Sequence, residues 1–205
     1  MTSIKLWYSP GACSLAVHIL LKEAGLPFEG ISISVRQGAP EALRKINPKM
    51  RVPICAIDEQ IVTEVPAIMT AIAQLAPERQ LLGSSNLNIV QSTVHGQAFG
   101  GLLRPARYSD DPDMYDAIRK KSWQTVQECF DAIEEKLKGV HAVGNGFTVV
   151  DPYLYVFYRW GASNDGLDMA ARYPKYAKLV GELLERRAVR EAVEAEGIEP
   201  QGPKL

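Results

Sequence analysis

The hydrophobic period of this chain changes once, near residue 76, and that change limits what it can fold into. Before it, short strand and helix signals alternate. "IKLWY" (Ile4 to Tyr8) reads as a strand, and Leu15 to Ala24 as a helix closed by Gly25, a residue suited to a left-handed stop. Ile31, Ile33 and Val35 alternate with polar residues and predict a second strand. "PEALRKI" from Pro40 predicts a short helix that ends before Asn47-Pro48, because the residue preceding a proline disfavours the helical region. "VPICAID" and "IVT" flank Asp58 to Gln60 as a hairpin, and Pro66 to Leu75 is helical with its proline in the first turn. This order predicts an α/β unit, a mixed sheet covered by helices.

After the change only helical signals remain. "APERQLLGSSN" (Ala76 to Asn86) has turn residues and no sustained period. Asp113 to Lys138 is a long amphipathic run ending at Gly139. "TVVD" (Thr148 to Asp151) has the spacing of a capping box, and Tyr173 to Glu185 and Ala188 to Glu194 supply two more helices. The expected organisation is an α/β domain over residues 1–78, a linker at 79–86 and an all-α domain over 87–205.

Composition removes several functions. The chain has 205 residues, 46% of them hydrophobic, and a formal net charge of -1, which suits a globular protein with a sizeable core. Charges of both signs are mixed, so nucleic acid is not an expected partner. No apolar run is long enough for a membrane span, and "MTSIKLWYSPG" lacks the pattern of a secretory signal. Cys13, Cys55 and Cys129 are odd in number and widely spaced, which predicts a reducing cytoplasm rather than a disulfide framework. His18, His95 and His141 lack ligand spacing, so no metal is expected.

Three segments carry candidate chemistry. In "YSPGACS", Cys13 sits at a helix N-terminus, where the dipole and free N–H groups favour a thiolate. The alternative is a small buried hydrophobe. No second cysteine follows in a C-x-x-C arrangement, so exchange at Cys13 would need an external thiol. In "RVPICAID", a proline entering a strand removes a ladder donor and suits a tight, often cis turn, leaving the Val52 backbone exposed; the alternative is an ordinary strand-entry proline. In "TEVPAI", Glu64 and Val65 precede a helix whose N-terminus can hold a carboxylate, while the Glu64 side chain can receive an ammonium. One spot would then suit both charged ends of an amino acid, although an isolated glutamate there is commonly a dipole-matched surface acid.

Taken in order, "KLWYSPGACSL", "NPKMRVP", "VTEVPAI" and "GFTVVDPYLY" resemble the cytosolic glutathione transferases, with the first segment most similar to the cysteine-containing beta class of bacterial enzymes. The resemblance spans essentially the whole chain. It implies a thioredoxin-like first domain (βαβαββα) that binds glutathione as co-substrate, and a helical-bundle second domain that lines a site for a small electrophile. A homodimer is implied too. Val52, before a cis Pro53, would pair with the cysteinyl backbone of glutathione, and Glu64 with the Val65 N–H would hold its γ-glutamyl end. Cys13 would face the glutathione sulfur, with Ser9 among the donors and Tyr8 as a rival. His95 matches a histidine near the sulfur, Asn88 an asparagine that reaches glutathione, and Arg36 approximately a basic residue at the glycyl end.

The resemblance implies activation of the glutathione thiol for attack on an electrophilic carbon or a disulfide. Val65 replaces a small or hydroxyl residue, Met50 replaces glycine, and the stretch between Leu87 and His95 is shorter than the family pattern by roughly two helical turns. Arg104, Tyr108 and Trp160 are candidates for the electrophile pocket, whereas Trp123, Cys129, Ile133 and Cys55 read as packing. The rival expectations are a specialised glutathione-dependent reductase, dehalogenase or ether-cleaving enzyme, and a non-catalytic protein that keeps the fold.

Overall fold

A computed structural model of the chain describes residues 2–34, 40–83, 98–164 and 167–203. Four strands form one mixed sheet in the order β2-β1-β3-β4. Strand β1 (Ile4–Tyr8) pairs in parallel with β2 (Glu29–Ser32) and antiparallel with β3 (Ile54–Ile57), which in turn pairs antiparallel with β4 (Gln60–Thr63). Ile4, Leu6 and Tyr8 are the buried side of β1, as the two-residue period of a strand dictates.

The second strand lies two residues earlier than the alternation at Ile31, Ile33 and Val35 predicts. Its register is set by β1, with Lys5 opposite Glu29 and Tyr8 opposite Ser32, and the Ile33 N–H makes the last bond to the Tyr8 carbonyl at 2.8 Å. At the sheet edge little of this strand is buried, so its hydrophobic pattern says little about its limits. Likewise "PEALRKI" forms a 3-10 helix over Glu41–Lys45, with Leu43 its one buried residue.

Helix α1 (Ser14–Ala24) ends at Gly25, whose φ of 69° is the left-handed stop read from the sequence. Helix α2 (Val65–Leu75) follows β4. A 3-10 turn at Pro77–Arg79 comes next, Leu81 is buried, and its carbonyl accepts the Val149 N–H at 2.9 Å. The first part of the expected linker is therefore held against the start of a later helix.

The remaining described elements are helices: α3 (Gly100–Leu103), α4 (Tyr115–Lys136), α5 (Val150–Ala162), α6 (Met169–Arg172), α7 (Pro174–Leu184) and α8 (Arg187–Ala195). Helix α4 starts after Asp113 because Asp111 first caps a 3-10 turn at Pro112–Met114, accepting the Asp113 N–H at 3.0 Å. Helix α5 is buried along most of its length and packs against α1 and α7. The expected capping box holds its start: Asp151 Oδ2 accepts the Thr148 N–H at 2.7 Å and faces the Thr148 hydroxyl at 3.0 Å. Asp151 Oδ1 accepts the Ala142 N–H at 2.9 Å, which ties in the preceding loop. Helix α8 lies on α1 and joins the helical part to the sheet. Cys55 and Ile133 are buried and Trp123 and Cys129 half-buried in this packing.

Candidate active site

The turn from β1 into α1 brings Cys13 to the first helical turn. Ser9, Pro10, Gly11 and Ala12 close it, with the Ala12 N–H on the Ser9 carbonyl at 3.0 Å and Gly11 at φ 69°. Ser14 braces the turn from inside: its hydroxyl accepts the Ser9 N–H at 3.1 Å and faces the Ser9 carbonyl at 3.2 Å. Two residues distant in sequence hold Gly11. Its N–H donates to Glu196 Oε2 at 2.9 Å, and its carbonyl accepts the Trp160 indole N–H at 2.9 Å. Glu196 Oε1 lies 3.0 Å from His18 Nδ1, and the His18 ring lies 5.2 Å from both the Tyr8 and Phe28 rings.

Cys13 is only 7% exposed, and its Sγ donates toward the Val52 carbonyl at 3.4 Å. Burial pushes its thiol up to about 12; the backbone N–H groups of Cys13 and Ser14 and the Arg104 charge oppose this, and the Glu64 carboxylate adds to it. The helix terminus thus favours the thiolate as expected, but desolvation outweighs it, and Cys13 is a neutral thiol at pH 7.

Val52 is placed by the turn before β3. Asn47 is buried, donates from Nδ2 to the Arg51 carbonyl at 3.0 Å and accepts the Lys49 N–H at 3.1 Å. Met50 within this turn has φ 52°, a left-handed conformation that explains why glycine suits the position. The Val52–Pro53 peptide is cis. Glu64 also has positive φ, at 72°, and immediately precedes α2. Its side chain is exposed and pairs with Lys49 Nζ at 2.8 Å, while Val65 is buried at the first helical position, where an N–H has no helical acceptor.

Cys13, Val52 and Glu64 are therefore neighbours. Tyr153, which is not among the residues expected from the sequence, joins them. It is buried on α5, and its hydroxyl is pushed above the usual tyrosine range by burial first and then by the charges of Cys13 and Glu64. Its place in "DPYLY" was the available signal. Glu196 and Ser14 are likewise not expected from the sequence, since a contact across 185 residues leaves no spacing to read.

Tyr8 turns toward His18 and packs near Gly30. Arg104 and Tyr108 are exposed, whereas Trp160 lines a cavity beside Gly11. Arg36, Asn88, His95 and the shortened stretch before His95 lie outside the described residues. Among the described residues no three His, Cys, Asp or Glu side chains gather as a metal site, and no helix is long and apolar enough to cross a membrane.

Known proteins share the sequence and fold of this chain. Residues 11–75 match the glutathione S-transferase N-terminal domain family. The chain is 32% identical to glutathione S-transferase GstA of Escherichia coli O157:H7, over 95% of this chain and 100% of the relative. A glutathione transferase homologue from Sulfitobacter, solved with bound glutathione, superposes with a TM-score of 0.87 at 27% identity, over 97% of this chain and 100% of that one. The bacterial beta class enzyme of Sphingomonas chungbukensis superposes at 0.77 with 30% identity, over 95% and 100%. By sequence over 95% of its length and by the arrangement of sheet and helices, the chain belongs to the glutathione S-transferase family.

Proposed function

We propose that the protein binds glutathione at the mouth formed by Cys13, Val52 and Glu64 and transfers it to small electrophiles. The observation that carries this reading is the convergence of a thiol, the backbone of the turn entering β3 and an acid at a helix N-terminus. Val52, in the turn before β3, would pair through its backbone N–H and C=O with the cysteinyl backbone. Glu64 would exchange its exposed Lys49 contact for the α-ammonium of the γ-glutamyl end, and the Val65 N–H would face the adjoining carboxylate. Ser9, Arg36, Pro53, Asn88 and His95 complete the proposed site.

In this mechanism Cys13 acts as a donor. A thiol held neutral by burial can redirect its hydrogen from the Val52 carbonyl to the glutathione sulfur, where it stabilises the thiolate that attacks the electrophile. A role as nucleophile in thiol-disulfide exchange requires the thiolate of Cys13 itself, which burial suppresses. Incubation with oxidised glutathione at pH 7 should leave the intact mass unchanged; stoichiometric glutathionylation of Cys13 would instead favour the specialised reductase reading.

The resemblance also supports a homodimer. Three free cysteines fit a cytoplasmic setting, where electrophile conjugation serves detoxification. Calorimetry with reduced glutathione tests the binding site. Saturable binding should weaken about 10–100-fold in Glu64→Ala, the loss of a charge-assisted contact. No saturable binding by the wild type would favour the non-catalytic reading.

A further inference from the structure

A cavity of about 460 Å³ adjoins the Ser9–Gly11 turn, between the end of β2, the end of α5 and the chain after α8. Its size suits a drug-sized molecule. Ser9, Ser32, Ser34, Ser163 and Gln201 line it together with Arg159, and Ile33, Ile198 and Trp160 give it an apolar wall. Cys13, Val52 and Glu64 do not line it.

Arg159 is the unusual member. It is only 7% exposed, yet no carboxylate pairs with it among the described residues; Arg51, Arg79, Arg104 and Arg107 also lack an acid there, but all four are exposed. Its Nη1 donates to the Tyr155 hydroxyl at 3.3 Å and to the Glu199 carbonyl. Nε and Nη2 have no acceptor among the described residues. A guanidinium carries five donors in a planar fork matched to a carboxylate, and Nε and Nη2 are open to the cavity rather than sealed in the core. Glu196, the nearby buried acid of the same tail, is already committed to Gly11 and His18.

We propose that this cavity binds a small aromatic carboxylate, with Arg159 taking the carboxylate and Trp160, Ile33 and Ile198 covering the ring. The ligand could be an acidic electrophile awaiting conjugation or a separate acidic effector, and both present the same chemistry to Arg159.

The test uses 2-naphthoate and its neutral analogue 2-naphthamide in calorimetry with the full chain. Saturable naphthoate binding at least tenfold tighter than naphthamide binding is expected. That preference should disappear in Arg159→Met, which keeps the alkyl stem, and naphthoate binding should be lost in Ser34→Phe, which fills the cavity from the β2 side and leaves α5 intact. Equal binding of the two probes, or an undiminished preference in Ser34→Phe, would overturn the proposal even if Arg159→Met fails to fold.

Inhibition of conjugation to 1-chloro-2,4-dinitrobenzene separates the sources. Competition with the aryl halide identifies the electrophile's own site, and a lowered kcat at unchanged KM identifies an effector; both support the cavity. Competition with glutathione would overturn the proposal, because it would put the carboxylate at the glycyl end. The calorimetric arm needs no turnover, so naphthoate binding by an inactive protein would sink the transferase reading alone.

Discussion

Cys13 shows how two effects on one atom are ranked. Its helix-terminal position favours ionisation, and its burial opposes it more strongly, lifting the thiol from 9.0 to about 12. In a Cys55→Ser, Cys129→Ser background, absorbance at 240 nm should show no thiolate at or below pH 8, and a thiolate at pH 7 would contradict the account. Linkage sets the sign for stability. The folded chain holds this proton more tightly than the unfolded one, so the contribution is complete below about pH 9 and is lost as pH rises toward 12. Met50 is the second case. A side chain at φ 52° costs roughly 1–2 kcal/mol in the left-handed region, partly offset by the entropy glycine loses on folding. Met50→Gly should therefore raise Tm by about 2–4 °C, and a lower Tm would show that the side-chain contacts of Met50 outweigh its backbone.

At the scale of elements, the active-site turn is held by helices far away in sequence. Glu196 and Trp160 grip Gly11 from both sides, so the position of Cys13 depends on α5 and on the residue after α8. Glu196→Ala removes one partner of a buried pair and should cost roughly 3–5 kcal/mol in urea unfolding. Trp160→Phe keeps the ring packing with Phe99 and should cost about 1 kcal/mol while lowering kcat. A change under 0.5 kcal/mol in Glu196→Ala would mean that the turn holds itself. The start of α5 is a parallel case. Asp151→Ala strands the buried Thr148 N–H and the half-buried Ala142 N–H and should lower stability by roughly 2–4 kcal/mol, read as a fall in Tm.

Local chemistry was legible at these elements and long-range chemistry was not. Gly25, the Thr148–Asp151 box and the hairpin at Asp58 are decided by residues within a few positions of one another, and each stands where the sequence places it. The second strand slipped because its limits come from pairing with β1 rather than from its own alternation. Cys13, Val52 and Glu64 were legible as a group since each sits at an element boundary with its own marker residue. Glu196, Ser14 and Tyr153 had no such marker. The ionisation state of Cys13 was illegible for the same reason, because burial is a property of the assembled molecule.

For the whole molecule, sheet and helices meet at the Gly11 turn, which Glu196 and Trp160 hold and which the Arg159 cavity adjoins. The central claim is that a neutral Cys13 stabilises the thiolate of bound glutathione. The direct measurement is the 240 nm difference titration of the glutathione complex, in the wild type and in Cys13→Ala. The account predicts a thiolate that appears below the ordinary thiol pKa of about 8.5 in the wild type and shifts upward in the variant. Bound glutathione that titrates like the free thiol, or an unchanged titration in Cys13→Ala, would contradict it.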